Sequence, residues 1–352
     1  MIPRREFITG LSAAVTAGVL WPESLLAKST ATASDKHGPV LPSRLLGHTG
    51  EHVTMLGLGG QHFRRLPGLE PAKAIETCIA GGIRFFDTAT MYGEDSLSER
   101  LFGEYLTPKY RDEIYLMTKS TADDPKTARA HLESSLRNMK TDVIDLWQIH
   151  AIDSIEDVDS RWDSGVVDVF LKARADGKVR HLGFSGHKQP DVQLHMIQRL
   201  VERGIQFEAA QFPVNVCDPA YESFIQKVVP VCLKNGIGVL AMKTMCGGRI
   251  FGGVGEAWGP RGRTRAEPLV PDMLSFRDAT DYVWSLPIAT RIAGFDNIEQ
   301  LQQNIDAAKA VGKLSPEKLS KILETAALHS GPVREYYKRN TLAKDDPTEQ
   351  RF

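Results

Sequence analysis

Cysteine is scarce in this sequence of 352 residues, which contains four: Cys78, Cys217, Cys232 and Cys246. A disulfide scaffold in a chain of this size would need more, and no two of them have the C-x-x-C spacing of a metal site. No histidine accompanies them at a metal-ligand spacing. We therefore interpret the four thiols as packing residues and expect no structural metal.

An excess of charge of either sign is also absent, because 43 Lys and Arg residues stand against 44 Asp and Glu, a formal net charge of −1. A surface for nucleic acid or an anionic membrane needs a large excess of Lys and Arg on one face. The composition, with 42% hydrophobic residues, is that of an ordinary globular chain. We expect a small-molecule partner and no nucleic acid; the oligomeric state is left open, with a monomer favoured.

The sequence near the N-terminus lacks an apolar run long enough to span a bilayer as a helix, which takes about 20 residues. Residues 8–20 are weakly apolar, and Gly10 and Gly18 interrupt them. They follow the pair Arg4-Arg5 and precede residues 31–33 (ATA), a small-x-small pattern typical of signal peptidase sites. We therefore expect no stable membrane span.

This order of basic pair, apolar run and cleavage pattern resembles a twin-arginine export signal. We expect residues 1–33 to be a signal peptide, with residues 25–27 (LLA) as a second possible cleavage site. The resemblance implies that the twin-arginine export machinery is a partner and that the protein works in the periplasm or outside the cell. A basic, frayed N-terminus is the alternative.

Behind this segment, short apolar runs alternate with longer amphipathic ones, which predicts parallel strands joined by helical crossovers. Eight such units can be counted, the number that closes a TIM barrel, and an open doubly wound sheet is the alternative. The predicted strands cover residues 53–59, 83–87, 113–119, 143–150, 179–185, 207–215, 238–245 and 291–295. The predicted helices cover residues 71–80, 97–105, 128–139, 166–175, 192–201, 224–233, 273–284, 301–310 and, after the last unit, 316–329. We assign residues 34–335 to a single-domain α/β fold, a (β/α)8 TIM barrel, and 336–352 to a C-terminal tail.

Polar residues recur at the predicted strand ends at intervals of roughly 30 residues, the length of one strand–helix unit. The C-terminal ends of the strands of a closed barrel converge on one mouth, where active sites lie. One polar strand end is typical of a solvated loop, but several in phase indicate a site. The six are Asp87, Lys119, His150, Ser185, Gln211 and Lys243.

Three of these strand ends carry motifs of a known family. Residues 86–93 (FDTATMYG), 118–119 (TK) and 148–150 (QIH) resemble the Asp, Tyr, Lys and His tetrad of the aldo-keto reductases. The resemblance extends over roughly residues 43–312. It implies a nicotinamide-dependent oxidoreductase, using NADP or alternatively NAD, that interconverts an aldehyde or ketone and an alcohol.

The tetrad residues suit that chemistry, because reduction of a carbonyl by hydride places negative charge on its oxygen and requires a proton there. A free phenol is a poor acid at neutral pH, but a nearby ammonium stabilises the phenolate. We therefore expect Tyr92 to donate the proton, Lys119 to tune it, Asp87 to pair with Lys119, and His150 to orient the carbonyl oxygen. The alternative gives each residue a structural role, such as a cap for Asp87.

The resemblance also implies a nicotinamide site at the ends of the fifth to seventh strands. In the family, a Ser-Asn pair and a Gln hold the carboxamide; Ser185 and Gln211 match, but Gly186 stands where Asn is usual. Met242 replaces the Tyr that usually stacks on the nicotinamide, and a thioether can also pack on a ring face. Lys243 follows at the same strand end, and barrel core is the alternative role for Met242.

The eighth unit is expected to bind the rest of the dinucleotide. Gly294 and Asn297 precede a helix whose first N–H groups would suit phosphate. The side chains that match the family's adenosine contacts are Gln300, Gln303 and Asn304. No Lys or Arg in this stretch pairs with the 2′-phosphate of NADP, and Asp296 would repel it and accept from a ribose hydroxyl, so the choice between NADP and NAD stays open.

Two glycine-rich segments flank the expected mouth. Gly59 belongs to the first, where the backbone can approach a ligand. The second, residues 246–263, is expected to be a mobile loop over the mouth that closes on a pyrophosphate or on substrate. Its candidate contact residues are Arg249, Trp258, Arg261 and Arg263. A solvated basic loop is the alternative.

A second function from another class also fits the sequence. The chain could be an exported dinucleotide-binding or sensor protein that keeps a reductase-like barrel with little turnover. The intact tetrad favours the enzyme, whereas Gly186 and Met242 leave room for the binding protein.

Overall fold

The computed structural model describes residues 33–64, 71–251 and 274–338. The predicted signal peptide lies outside the described residues except for Ala33, as does the glycine-rich segment beyond Phe251. Within the described ranges, no helix has the length and apolar character needed to cross a membrane.

Two short antiparallel hairpins come before the barrel. They are formed by β1 (Ala33–Asp35) with β2 (Gly38–Val40), and by β3 (Ser43–Leu45) with β4 (His52–Thr54). Arg84 ties the first hairpin to the barrel, because its Nε and Nη2 donate to the carboxylate of Asp35 at 2.6 and 2.9 Å. Its Nη1 donates to the backbone oxygens of Ile79 and Ile83.

Eight parallel strands then close into a barrel in chain order, so the predicted (β/α)8 TIM barrel is confirmed and the open sheet is wrong. Closure joins the last strand to the first, with Ile292 opposite Gly57. The strands are β5 (Leu56–Gly59), β6 (Phe85–Asp87), β7 (Tyr115–Ser120), β8 (Ile144–Ile149), β9 (Val179–Ser185), β10 (Ala209–Pro213), β11 (Gly238–Met242) and β12 (Thr290–Ala293).

Helices surround the barrel, and four of the predicted ones have the predicted bounds. Those in the described ranges are α1 (Pro71–Ala80), α2 (Leu97–Tyr105), α3 (Thr107–Tyr110), α4 (Pro125–Asn138), α5 (Ile155–Asp163), α6 (Val166–Ala175), α7 (Pro190–Glu202), α8 (Phe224–Lys227), α9 (Val229–Lys234), α10 (Phe276–Trp284), α11 (Ile298–Lys309) and α12 (Pro316–His329). The helix predicted at residues 224–233 is wrong in one respect, because it is divided into α8 and α9. Pro230 explains the break, since proline lacks a backbone N–H and its ring clashes with the preceding turn.

Side chains along the strands alternate between the barrel interior and the shell of helices. The interior is apolar, and its buried cluster includes Phe85, Met117, Leu146, Ala209, Leu240 and Ile292. Outward side chains pack on helices, as where Trp147 stacks on Phe170 with ring centroids 3.7 Å apart. All four cysteines are buried free thiols, as packing residues would be. Lys119 lies two residues beyond Met117 in the inward-facing row, so its side chain enters the barrel at the C-terminal end.

The last described residues are part of the barrel's packing. Tyr336–Lys338 form a 3-10 turn, and the Nζ of Lys338 donates to the carboxylates of Asp218 and Glu335 at 2.7 and 2.8 Å. All three of these charged side chains are buried. Residues 336–338, predicted to be part of the tail, therefore pack against the barrel, and this boundary is corrected. The sequence around Lys338 does not indicate that its ammonium pairs with buried carboxylates.

The pair of Asp35 and Arg84 predicts a pH-dependent contribution to stability. Hydrogen bonds from Arg84 hold the pKa of the Asp35 carboxyl below its ordinary value, although burial opposes this. Such a carboxyl stabilises the fold above its unfolded-state pKa, and that contribution is lost as the pH falls through the folded-state pKa. Asp35→Asn should lower the free energy of unfolding by about 1–2 kcal/mol near pH 7 and by much less in strong acid.

Urea unfolding followed by circular dichroism at both pH values measures this difference. Asp112→Asn, at an exposed position, is the matched control and should change little at either pH. An equal loss for Asp35→Asn at both pH values would contradict the role of the ion pair.

Candidate active site

The tetrad predicted from the sequence comes together at the C-terminal end of the barrel. Asp87 ends β6, Lys119 lies one residue before the end of β7, and His150 directly follows β8. Tyr92 lies on the loop between β6 and α2 and reaches the side chains of the other strands. The polar residues that recur at intervals of roughly 30 residues therefore lie together at one end of the barrel.

Lys119 connects the other members of the tetrad. Its Nζ donates to the carboxylate of Asp87, to the backbone oxygen of Thr88 at 2.9 Å and to the hydroxyl of Tyr92 at 3.1 Å. An ammonium has three donors, so these three acceptors use all of them and fix its orientation. Asp87 and Lys119 are 2% and 1% exposed.

The ammonium of Lys119 is charged in spite of its burial. Burial by itself lowers the pKa of Lys119, but the carboxylate of Asp87 and the oxygen of Tyr92 outweigh it and raise this pKa above its ordinary value. A fixed positive charge therefore lies against the hydroxyl of Tyr92. Such a charge stabilises the deprotonated phenol relative to the neutral one.

His150 lies on the other side of Tyr92, with the two ring centroids 5.6 Å apart and the ring planes at 80°. Burial, helped by the charges of Lys119 and other nearby cations, lowers the pKa of His150 well below its ordinary value. Its imidazole is therefore neutral at physiological pH. Its Nδ1 is buried and has no hydrogen-bond partner among the described residues.

The loop that carries Tyr92 is tied to β7. Both the backbone N–H and the hydroxyl of Thr90 donate to the backbone oxygen of Lys119 at 3.2 Å. The hydroxyl of Ser96 donates to the backbone oxygen of Thr90 at 2.7 Å, and the N–H of Ser98 donates to that of Tyr92 at 3.0 Å. The position of the phenol is thus set by backbone contacts on both sides of it.

Two polar residues predicted to bind nicotinamide border the tetrad. Ser185 ends β9 and is fully buried, and its Oγ accepts from the backbone N–H of Ala151 at 3.2 Å. Gln211 on β10 donates from Nε2 to Asp87 at 3.2 Å, while its Oε1 has no partner among the described residues. Gln211 thus contacts the second carboxylate oxygen of Asp87 through Nε2, while its Oε1 remains an acceptor without a described donor.

The predicted contacts on β11 and β5 are at the same end of the barrel. Met242 ends β11, faces the interior and is 9% exposed. Lys243 follows with φ of 53°, and its charge contributes to the low pKa of His150. Gly59 ends β5, where a Cβ would lie 3.2 Å from the backbone oxygen of Ala293, so the first and last strands approach closely there.

The eighth unit uses two of its predicted ligand residues to cap its own helix, α11. The Oδ1 of Asn297 accepts from the backbone N–H of Gln300 at 2.8 Å, and the Oε1 of Gln300 accepts from the N–H of Asp296 at 2.8 Å. These contacts satisfy two of the donors expected to bind phosphate. The helix start predicted to suit phosphate is therefore capped by its own side chains in this structure.

Asn304 has a structural contact where an adenosine contact was predicted. Its side chain is buried; Oδ1 accepts from the Nη1 of Arg291 at 2.7 Å, and Nδ2 donates to the backbone oxygen of Gln300 at 2.7 Å. Burial lowers the pKa of Arg291 to about 9. Gln303 is exposed on the same helix. The role of Arg291 could not be predicted from the sequence, since an arginine inside a strand pattern does not indicate where its charge is held.

His62 is a second residue that the sequence analysis missed. It lies in the turn Gly60–Arg64 after β5, and a Cβ at Gly294 would be 1.9 Å from its Nε2. Its ring stacks on Phe295 at 6.1 Å, and its Nδ1 is 3.7 Å from the carboxylate of Asp296. Its position just after the first strand was the available signal, because the first and eighth strands meet in a closed barrel.

Arg249 is the described member of the four side chains expected to close over the mouth. It is buried, its Nη1 donates to the backbone oxygen of Val333 at 2.5 Å, and its guanidinium lies 4.1 Å from the ring centroid of Tyr336. It thus holds the glycine-rich segment to the C-terminal part, which corrects its predicted role. The other members, Trp258, Arg261 and Arg263, lie outside the described residues.

The arrangement combines a hydroxyl, a fixed ammonium and a neutral imidazole around one space at the barrel mouth. Such a set can stabilise negative charge on an oxygen and deliver a proton to it. Within the described ranges, no three His, Cys, Asp or Glu side chains are grouped as a metal site requires.

Comparison with protein families matches residues 55–285 to the model of the aldo/keto reductase family. Among known proteins, the oxidoreductase YcsN of Bacillus subtilis, itself uncharacterized, is 29% identical over 198 residues, which are 50% of this chain and 61% of YcsN. The 6-dehydroglucose reductase of Novosphingobium aromaticivorans is 33% identical over 172 residues, 44% of this chain and 55% of that protein. The chain thus spans less than two thirds of either relative.

The fold is also found in solved structures. An aldo-keto reductase from Bacillus halodurans in its holo form aligns with a TM-score of 0.66 and 21% identity over 84% of this chain and 99% of that chain. A putative aldo-keto reductase from Pseudomonas aeruginosa aligns with a TM-score of 0.58 over 76% of this chain. Because the family model covers the barrel from β5 through α10 and includes the whole tetrad, the chain belongs to the aldo/keto reductase family of oxidoreductases.

Proposed function

We propose that this oxidoreductase uses a nicotinamide dinucleotide to interconvert an aldehyde or ketone and an alcohol, with Tyr92 as the proton donor. The observation that carries the proposal is the buried ammonium of Lys119, which bonds the carboxylate of Asp87 and the hydroxyl of Tyr92 together. If Asp87 and Tyr92 had only separate structural roles, they would not need to share a contact with Lys119.

Each residue of the tetrad then has a definite task. Tyr92 delivers a proton to the carbonyl oxygen in reduction and takes one from the alcohol in oxidation. Lys119 stabilises the phenolate that remains, and Asp87 keeps Lys119 charged. A neutral His150 can donate a hydrogen bond to the substrate oxygen without competing for the proton.

The nearby amides fit a nicotinamide. When bound, that group supplies the hydride. The Oε1 of Gln211 is buried without a partner in the described part of the chain, which is unusual for a polar atom and suits the N–H groups of a carboxamide. Ser185 and Met242 border the same strand ends, one with a hydroxyl and the other with an apolar surface.

The competing function, a dinucleotide-binding or sensor protein with little turnover, also uses this pocket. A sensor would need to retain the contacts to the nucleotide but not a charged lysine against a tyrosine hydroxyl. The intact contact between Lys119 and Tyr92 therefore favours an enzyme.

Removal of the phenol hydroxyl should abolish most turnover without loss of nucleotide. Tyr92→Phe is expected to lower kcat by at least ~100-fold, the usual contribution of a general acid, while the Kd for nucleotide changes little. Lys119→Met should act in the same direction and Asp87→Asn more mildly. Steady-state reduction of a panel of aldehydes and ketones, with nucleotide binding measured in parallel, provides the readout.

Tyr105→Phe, on the outer helix α2, is the matched control for this series. It should have the activity of the unmutated protein. Activity of Tyr92→Phe within a few-fold of the unmutated protein would remove Tyr92 from the proposed role.

We further propose that the protein discriminates weakly between NADP and NAD. Asp296 is exposed at the start of α11, where its charge would oppose a 2′-phosphate. The Kd values for the two nucleotides should differ by less than about tenfold, and Asp296→Arg should shift the preference toward NADP. Calorimetric titration measures both. Asp306→Arg, within α11 itself, is the control, and strong NADP selectivity of the unmutated protein would contradict the proposal.

We also propose that the twin-arginine pattern at residues 4–5 exports the protein to the periplasm. This pathway moves folded proteins, which suits an enzyme that binds its nucleotide before export. Arg4→Lys combined with Arg5→Lys should leave full-length precursor in the cytoplasm, whereas the unmutated chain should be periplasmic and begin near Ser34. Cell fractionation and N-terminal sequencing provide the test. An unmutated cytoplasmic protein that still begins with Met1 would refute export.

A further inference from the structure

Gly186 directly follows β9, and a side chain from another element occupies the space beside it that a side chain at residue 186 would need. A Cβ at this position would lie 2.1 Å from the Nε2 of Gln193 and 2.7 Å from the backbone oxygen of Ile152. The residue must therefore be glycine for Gln193 to occupy its observed position. The amide of Gln193 fills the place that a side chain at residue 186 would take.

Gln193 lies in α7 and is fully buried. Neither its Nε2 nor its Oε1 has a hydrogen-bond partner in the described ranges. A primary amide offers two donors and an acceptor with two lone pairs, and a buried amide that uses none of them is costly. Packing alone does not explain this choice, because an apolar side chain of the same length would avoid the cost.

The neighbouring strand end contains a second amide with unused capacity. Gln211 is the register partner of Ser185, and its backbone oxygen accepts from the N–H of Gly186 at 3.1 Å. Its Oε1 is also buried without a partner in the described part of the chain. The Nε2 of Gln193 thus lies at Gly186, whose N–H bonds to the backbone oxygen of Gln211, and the side chain of Gln211 in turn contacts the tetrad residue Asp87.

We propose that Gln193 holds the carboxamide of the nicotinamide from α7, in place of a side chain at residue 186. The inference rests on the proposed function, since it needs a nicotinamide dinucleotide in this pocket. A carboxamide has both N–H donors and a carbonyl acceptor, so it complements two amides whose own atoms are unpaired. Glycine at residue 186 then makes room for the amide of Gln193, which supplies the contact to the carboxamide that a side chain at residue 186 would otherwise make.

The experiment compares ligands that differ only in the nicotinamide. Calorimetry on the full chain measures binding of NADPH and NADH, and of 2′-phospho-ADP-ribose and ADP-ribose, which lack the ring. Gln193→Met should raise the Kd of the better-bound dinucleotide by about tenfold, the effect of one or two lost hydrogen bonds. The Kd of the matching ADP-ribose should stay the same. Gln198→Met, on the exposed side of the same helix, is the control and should change neither.

Thermal unfolding without nucleotide gives an independent readout. Gln193→Met should unfold at the same or a higher temperature, because it removes an amide without a protein partner, and Gln193→Leu should behave in the same way. A lower Tm for both variants would assign Gln193 a structural role and overturn the inference.

The binding results separate the inference from the proposed function. If the unmutated protein binds a dinucleotide but Gln193→Met weakens both ligands equally, or neither, the inference is overturned and the function stands. If the unmutated protein binds neither NADPH nor NADH, the proposed function fails and the inference falls with it.

Discussion

The buried ammonium of Lys119 is the constraint on which the rest of the site depends. A charge inside a barrel is costly unless it is paired and hydrogen-bonded. Asp87 supplies the pairing from the adjacent strand, and the backbone of Thr88 takes a second donor. The third donor goes to the hydroxyl of Tyr92. The contacts that make the charge tolerable in the fold are therefore the same contacts that direct it at the hydroxyl of Tyr92.

The part of the site carried by the strands could be predicted because each strand–helix unit has about the same length, so the strand ends recur at regular intervals in the sequence. Asp87, Lys119 and His150 each lie where an apolar strand pattern ends, and closure of the barrel brings such ends together. Tyr92 is on a loop, but its position is fixed by backbone bonds next to the strand it follows. Periodicity therefore predicted the barrel correctly, and the strand ends that carry the family motif do meet at one end of it.

The eighth unit could not be predicted as well, for a physical reason. Asn297, Gln300 and Asn304 are polar residues at a helix start, where the same side chains can bind a ligand, cap the helix or hold a neighbour. The competing partner of Asn304 is Arg291, whose side chain leaves the strand on the helix side. Whether a donor is already satisfied depends on contacts that sequence order does not contain.

Two glycines show how a contact with another element can affect the sequence. At Gly294 the space of a side chain is filled by His62, and at Gly186 it is filled by Gln193. In the sequence each position shows only a missing side chain, and at residue 186 that looks like a departure from the family pattern. In the structure the same position admits a polar group from another element. A substitution to glycine in a binding motif is therefore ambiguous until the neighbouring elements are known: it can remove a function, or it can transfer that function to a residue that enters the vacated space.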